Sequence, residues 1–159
     1  MYNFVVDAML GNIAKWLRFL GYSTYYNSGA SDEELLLQAS KFKAVLITRD
    51  KELYKKALKK GVKTVYLPPL DDIEALAYLS KKVNLKLKVN LGKTRCPKCN
   101  GILVVKKPEE VKHKVPYNVL KTYNVFYVCE SCGQVYWLGS HYRSMMKILR
   151  EARNISEGV

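Results

Sequence analysis

The chain has 159 residues and 48% of them are apolar, which is enough for an ordinary buried core and excludes a disordered chain. Lysine and arginine number 27 against 14 acidic residues, a formal charge of +13 that favours polyanionic partners such as RNA, DNA or anionic lipid, with a solvated lysine-rich surface as the plainer alternative. No apolar run approaches the roughly 20 residues of a membrane helix, and Asp7 interrupts the first run, so we expect no signal peptide, no membrane partner and a cytoplasmic protein with reduced thiols.

Residues 1–83 alternate between strand-like and helical patterns. Strands are predicted at 4–6, 23–26, 44–48 and 62–67, and helices at 12–20, 31–41, 51–60 and 71–83. Gly21 and Gly61 end two of the helices, and Ser31 with Glu34 forms a predicted capping box. This alternation predicts an α/β fold in three layers, with a mostly parallel sheet covered by helices on both faces.

Residues 84–94 are polar and weakly patterned, and we expect them to form a linker. They divide the chain into two predicted domains, 1–90 and 91–159. The second is the more basic per residue, with 12 basic and 5 acidic side chains against 15 and 9 in the first. It contains two β-rich runs, 102–106 and 125–128, that could pair as a hairpin arm, and a helical pattern from 142 to about 153.

Four cysteines form two C-x-x-C pairs in the second domain: Cys96 with Cys99, and Cys129 with Cys132. Each pair is followed by turn-forming residues, as in zinc knuckles. A redox-active dithiol is the competing interpretation, but two pairs in one intracellular chain favour a shared metal. Four thiolates leave no open coordination position, so we predict one structural zinc and a small C-terminal zinc ribbon whose folding depends on it.

Three aspartates lie where predicted strands end or the next helix begins. Asp7 and Asp50 directly follow strands, and Asp32 opens the helix after the second strand. Ligands of parallel sheets bind beyond the carboxyl ends of the strands, so these carboxylates are expected at one edge, where Mg²⁺ or Mn²⁺ would offset their repulsion. Helix capping explains Asp32 and Asp50 equally well, whereas an acid that ends an apolar strand, as Asp7 does, has no comparable local role.

Longer motifs surround these residues. They are Asp7-Ala8-Met9-Leu10-Gly11, Lys15-Trp16-Leu17-Arg18, Leu20-Gly21-Tyr22, Leu46-Ile47-Thr48-Arg49-Asp50, Arg95-Cys96-Pro97-Lys98-Cys99-Asn100, Val135-Tyr136-Trp137 and Gly139-Ser140-His141. Together they resemble the Mut-seven C-terminal RNase domain family, in which a small PIN-like ribonuclease domain is joined to a zinc ribbon, and the resemblance covers nearly the whole chain. It implies a PIN-like three-layer fold, catalytic metal ligation by Asp7, Asp32 and Asp50, and a role for Thr48 in holding a water or a carboxylate. Larger PIN nucleases usually have a fourth acid, which has no equivalent here.

Basic residues near both predicted sites are candidates for RNA contacts. Lys15 and Arg18 lie on the helix after Asp7, and Arg49 lies beside Asp50. In the ribbon the candidates are Lys98 and Arg143, and aromatic residues are interspersed with them: Tyr136, Trp137, His141 and Tyr142. Basic and aromatic side chains together suit single-stranded RNA, through phosphate pairing and base stacking. Ordinary surface positions for the cations, and core packing for Tyr136 or Trp137, are the structural alternatives.

The leading hypothesis is therefore a Mg²⁺- or Mn²⁺-dependent endoribonuclease whose zinc ribbon helps to hold single-stranded or structured RNA. The first rival is a non-catalytic RNA-binding or ribosome-associated protein that keeps the fold, which the lack of a fourth acid favours. The second is the nuclease of a toxin–antitoxin pair, against which the ribbon argues. DNA as the substrate also stays open, and the sequence does not indicate an oligomeric state.

Overall fold

A four-stranded parallel sheet forms the centre of the computed structural model, which describes residues 1–158. Its strands are β1 (Phe4–Val6), β2 (Thr24–Tyr25), β3 (Val45–Thr48) and β4 (Thr64–Tyr66), in the order β2-β1-β3-β4. β1 is central and pairs with β2 through Phe4↔Thr24 and with β3 through Val6↔Ile47. The predicted parallel sheet is confirmed, and burial on both faces explains the continuous apolar runs of β1 and β3.

Helices cover both faces of this sheet. A 3-10 turn (Ala8–Leu10) leads into α1 (Gly11–Phe19), and the other helices of this half are α2 (Asp32–Phe42), α3 (Lys51–Lys59) and α4 (Asp72–Val83). Val6 and Ile47 pack on the side of α1 and α4, whereas Val5 and Leu46 pack on the side of α2 and α3. Alternate residues of each strand therefore enter different cores, and the three-layer prediction is confirmed.

Side chains begin three of these helices, as their sequences predict. Ser31 Oγ accepts a hydrogen bond from the Glu34 N–H at 3.2 Å, and Asp71 Oδ1 accepts one from the Glu74 N–H at 2.8 Å. Asp50 caps α3 in the same way. The capping box also predicted that the Glu34 side chain would bond back to the Ser31 N–H, and this part is wrong. The Glu34 carboxylate instead accepts a hydrogen bond from the Gln38 amide at 2.9 Å.

Residues 84–94 pack against the sheet domain, and the linker prediction is wrong. Leu85 and Leu87 are 3% and 4% exposed and belong to the core beside α1 and α4. The Thr94 hydroxyl donates a hydrogen bond to the Phe19 carbonyl at 2.9 Å. The segment looks polar because lysines and asparagines alternate with its apolar residues, and Leu85, Leu87 and Val89 pack on the core.

The second half contains a three-stranded antiparallel sheet with the order β5-β6-β7: β5 (Leu103–Lys106), β6 (Phe126–Cys129) and β7 (Val135–Tyr136). β5 and β6 pair from Leu103↔Cys129 to Lys106↔Phe126, which confirms the predicted hairpin arm. Two short helices, α5 (Pro108–Val111) and α6 (Tyr117–Thr122), lie between them over a small core that includes Val111 and Phe126. Pro108 followed by two glutamates is a helix-start signal that could have predicted α5.

The last helix, α7 (Ser140–Ser156), packs on α4. Its buried residues Leu149 and Ala152 lie in the same core as α1 and α4. The boundary at residue 90 stays a prediction, but a helix from the second predicted domain completes the core of the first. None of the helices within residues 1–158 has the length and apolar character needed to cross a membrane.

Candidate functional site

The strand order places two of the predicted aspartates side by side. Asp7 follows β1 and Asp50 follows β3, and these neighbouring parallel strands end at the same edge of the sheet. Thr48 connects the two acids, since its buried hydroxyl donates to Asp7 Oδ2 at 2.7 Å and accepts from the Asp50 N–H at 2.9 Å. This edge is also where the chain leaves β1 for β2 on one side and β3 for β4 on the other, which is the usual place for a ligand in an open parallel sheet.

Asp7 also has a local structural role, contrary to the expectation that it had none. Its Oδ1 accepts a hydrogen bond from the Ala8 N–H at 2.7 Å and begins the 3-10 turn. Asp7 is 9% exposed, and each of its two carboxylate oxygens accepts one hydrogen bond from the protein. A carboxylate offers about four lone-pair positions, so Asp7 is held in place with acceptor capacity left for a cation or a water.

Asp32 is the third carboxylate at this edge, at the first position of α2. Partial burial raises its pKa, and the negative charges of Asp50 and Asp7 raise it further against the opposing effect of Lys56. Asp32 therefore lies within electrostatic reach of both other acids. Within residues 1–158, however, only the four cysteines bring three or more ligand atoms close enough to share an ion as they stand. Carboxylate oxygens are the donor type that Mg²⁺ and Mn²⁺ prefer, but the acids of this edge do not form a preformed site for either ion.

Asp72 does not add a fourth acid to this group. Its carboxylate accepts hydrogen bonds from the Asn12 amide, at 2.7 and 2.8 Å, and from Trp16 Nε1 at 3.1 Å. Asp72 therefore joins the start of α4 to α1, whereas Asp71 caps α4. The sequence carries no signal for this tertiary contact, because Asn12 and Asp72 are 60 positions apart.

The four predicted zinc ligands meet at one point. All four sulfurs lie within 4.8 Å of one another, with 3.7 Å between Cys96 and Cys132 and 3.4 Å between Cys99 and Cys129. Zn–S bonds of about 2.3 Å in a tetrahedron require sulfur separations of roughly 3.8 Å, so the donor set fits zinc closely. Four ligands from two knuckles leave no position for substrate, so the metal would be structural.

Backbone N–H groups favour the thiolate at Cys129, whereas burial raises the pKa of the Cys96 and Cys99 thiols. Burial raises the pKa of the Cys129 thiol, but N–H groups of Cys132 and Ser131 point at its sulfur from 3.5 and 3.4 Å and lower the pKa to about 7. Burial and the Cys96 thiol raise the pKa of Tyr136, whose hydroxyl oxygen lies 3.1 Å from the Cys96 sulfur. Gly101 makes room for the second knuckle, since a Cβ there would lie 2.6 Å from the Cys129 sulfur.

Arg18 holds the first knuckle against the sheet domain. The prediction that it contacts RNA is corrected, because the side chain is buried in this junction. The side chain is 5% exposed, and its guanidinium donates to the Thr24 carbonyl on β2 and to the Pro97 carbonyl at 2.9 Å. Asn100 strengthens the same junction, because its Oδ1 accepts from the Thr24 N–H at 2.9 Å. Arg18 is therefore committed to joining the knuckle to the edge strand β2.

The other predicted RNA contacts differ in how free they are. Lys15, Lys98 and Arg143 are exposed, on α1, on the first knuckle and on α7. Arg49 is half-buried and donates long hydrogen bonds to the carbonyls of Leu67 and Pro68, at 3.3 and 3.4 Å. The described residues contain a single ion pair, between Lys106 and Glu110 at 4.0 Å, so most of the positive charge is not neutralised within the chain.

Comparison with protein families matches residues 2–149 to a family model described as the Mut7-C RNAse domain. The matched span includes the carboxylate edge, both cysteine pairs and most of α7. No curated protein matches significantly, and neither does any solved structure. Since the match covers nearly the whole chain, the protein belongs to the Mut7-C RNase domain family.

Proposed function

We propose that this protein is a metal-dependent endoribonuclease whose Asp7, Asp32 and Asp50 hold Mg²⁺ or Mn²⁺. Its family is one of RNase domains, which makes RNA the substrate class. The observation that carries the proposal is the hydrogen-bonded series of Asp7, Thr48 and Asp50 at the carboxyl edge of the parallel sheet, with Asp32 near enough to feel both acids. Capping explains Asp7 and Asp50 one at a time, but it does not require their carboxylates to share Thr48 or to lie within electrostatic reach of Asp32.

Hydrogen bonds from the surrounding chain orient two of the three acids. Thr48 and the Ala8 N–H orient the Asp7 carboxylate, and Asp50 is held through Oδ1 by the N–H groups of Glu52 and Leu53, at 2.9 and 3.3 Å. Both acids are thereby fixed before substrate arrives. A bound Mg²⁺ or Mn²⁺ would activate a water and stabilise the leaving oxygen of the phosphodiester. Products with a 5′-phosphate and a 3′-hydroxyl are expected from such a hydrolysis.

The zinc ribbon supplies the second part of the proposal. Its metal would stabilise the fold, and its exposed Lys98 together with Arg143 on α7 would contact RNA phosphates. The ribbon is held to the sheet domain through Arg18 and Asn100, so RNA bound to one part has a defined position relative to the other.

Asp7→Asn is the decisive variant, assayed on 5′-labelled single-stranded and hairpin RNA with Mg²⁺, Mn²⁺ or no divalent ion. Desalting should be used to remove divalent ions, because a strong chelator would also take the zinc. We expect Mn²⁺- or Mg²⁺-dependent cleavage by the wild type and a loss of roughly 100-fold or more in the variant. The amide can still accept from the Ala8 N–H, so unfolding free energy should fall by only about 1–2 kcal/mol.

Glu52→Gln is the matched control. Glu52 is an exposed acid two residues from Asp50, and it contacts Asp50 only through its backbone N–H. Its cleavage should equal that of the wild type. Equal cleavage by Asp7→Asn, or cleavage that needs no divalent ion, would refute the assignment. RNA binding without turnover under any metal would instead favour a non-catalytic RNA-binding protein.

A further inference from the structure

A cleft of about 630 Å³ lies between α1, the ribbon sheet and α7. One wall follows α1 from Asn12 through Lys15 to Phe19, a distance of about 10 Å along the helix. Asn12 and Asp72 mark its end at the carboxyl edge of the parallel sheet, since α1 and α4 both begin there. The cleft therefore extends from the first turn of α1, at the carboxyl side of the parallel sheet, to the zinc ribbon.

Aromatic side chains from the ribbon and α7 form the opposite wall: Tyr127, Tyr136, Trp137 and Tyr142. All four are only partly buried, so each keeps surface that is open to the cleft. Two of them are held by edge-to-face contacts, Trp137 against Phe126 with centroids at 6.2 Å and Tyr142 against Phe19 at 6.0 Å. Aromatic rings fixed from behind are suited to stacking with a flat ligand.

The rim of the cleft is basic. Lys15 on α1 and Lys98 on the first knuckle are exposed on it, and no carboxylate within residues 1–158 forms an ion pair with either. The acid on this rim, Asp72, is already occupied by three hydrogen bonds from Asn12 and Trp16. Partly exposed aromatic rings beside unpaired cations match a ligand with flat bases and a charged backbone.

We propose that this cleft binds a single-stranded segment of the RNA substrate, with an unstacked base on Trp137 and backbone phosphates on Lys15 and Lys98. This inference rests on the proposed function, because it treats the bound strand as leading to the carboxylate edge. A duplex cannot offer a free base face to Trp137 without losing its own stacking, so the cleft selects unpaired RNA. An apolar protein segment would use the aromatic wall but would gain nothing from the two lysines.

Tryptophan fluorescence tests the inference directly, because both tryptophans of the chain line the cleft and Trp137 is the more exposed of the two, Trp16 being only 4% exposed. The Asp7→Asn protein, which keeps its zinc, is titrated with a single-stranded oligonucleotide and with the same sequence as a hairpin stem. We expect quenching and binding with the single strand and much weaker binding with the stem. Trp137→Leu in the same background should lose the quenching and bind roughly ten-fold more weakly by the anisotropy of labelled RNA.

Tyr117→Leu is the matched control, since Tyr117 is a ribbon aromatic that is 74% exposed and does not line the cleft. It should bind RNA as the parent does. If Trp137→Leu fails to fold, the double variant Lys15→Ala/Lys98→Ala answers the question, because both lysines are exposed and its fold is not at risk. The slope of log affinity against log salt concentration should be smaller in magnitude by about 1.4, because each lost contact with a single-strand phosphate removes about 0.7 from it.

Unchanged RNA affinity in Trp137→Leu and in the double lysine variant would overturn the inference, as would equal affinity for the stem. Binding of an apolar peptide that survives the double lysine change, without RNA binding, would assign the cleft to a protein partner and overturn it too. These outcomes are independent of turnover. If RNA binds in the cleft but wild-type protein never cleaves it, the proposed function fails and the cleft assignment stands.

Discussion

Thr48→Val tests whether the threonine hydroxyl organises the carboxylate edge. Thr48 is fully buried, and its hydroxyl donates to Asp7 and accepts from the Asp50 N–H. Valine has nearly the same shape, so it leaves no cavity, and it is at least as favourable in a strand. The substitution therefore removes two hydrogen bonds and little else.

The size of the effect follows from those two contacts. A hydrogen bond to a charged group contributes about 1.5–3 kcal/mol and a neutral one about 1 kcal/mol, so unfolding free energy should fall by about 2.5–4 kcal/mol. For a chain of this size that corresponds to a Tm lower by roughly 5–15 °C. Thr48→Ser is the control: it keeps the hydroxyl and loses one methyl group, at a cost of about 1–1.5 kcal/mol.

Urea denaturation followed by circular dichroism measures both variants, and the cleavage assay is run in parallel. We expect the stability order wild type, Thr48→Ser, Thr48→Val, with turnover largely kept in Thr48→Ser and lost in Thr48→Val because Asp7 is no longer oriented. A Thr48→Val protein as stable as Thr48→Ser would show that the hydroxyl does not hold the edge together. Full activity in a destabilised Thr48→Val would separate the hydroxyl from the proposed chemistry.

Three further predictions concern the junction, the acids and the zinc site. Arg18→Met removes the guanidinium that joins the first knuckle to β2, so the unfolding free energy should fall by about 2–4 kcal/mol in thermal or urea denaturation. Lys15→Met, an exposed position on the same helix, is the control and should change it by less than about 0.5 kcal/mol. Asp32→Asn should raise Tm at pH 7, because the folded state raises the pKa of this acid and so opposes its ionisation. The gain should vanish well below the ordinary value of about 3.9, where the wild-type acid is protonated in both states. We expect the wild type to bind one zinc per chain. Gly101→Ala places a Cβ 2.6 Å from the Cys129 sulfur, so zinc affinity in a competition assay should fall by roughly ten-fold or more relative to the wild type.

Each of these has a contrary result. Equal stability of Arg18→Met and Lys15→Met would mean that the buried guanidinium contributes nothing net. A lower Tm for Asp32→Asn at pH 7 would show that attraction of Asp32 to the start of α2 exceeds its repulsion by Asp50 and Asp7. Gly29→Ala is the control for the glycine change, because its Cβ would meet its nearest neighbour at an ordinary 3.6 Å. Zinc affinity that is equal in the two alanine variants would contradict the close approach of the knuckles.

Local patterns in the sequence predicted most secondary structure, since caps and periodicity act over a few residues. The N-cap of Ser31 and the strand from 45 to 48 are examples. Predictions failed where a residue's role depends on partners far along the chain. Arg18 resembled a surface cation because its carbonyl acceptors include Pro97, 79 positions away. Residues 84–94 resembled a linker because the core that receives Leu85 and Leu87 is built by α1, α4 and α7.

The sequence by itself determined the chemistry available to this protein: four thiols in two knuckles, aspartates at strand ends, and a large positive charge. The spacing of a C-x-x-C pair defines its own turn, so the zinc site could be predicted from local information. Only the tertiary structure decided which groups act together. Strand order placed Thr48 between Asp7 and Asp50, and packing of α7 on α4 created the aromatic cleft beside α1. These arrangements arise from long-range burial of apolar faces, to which no short stretch of sequence corresponds.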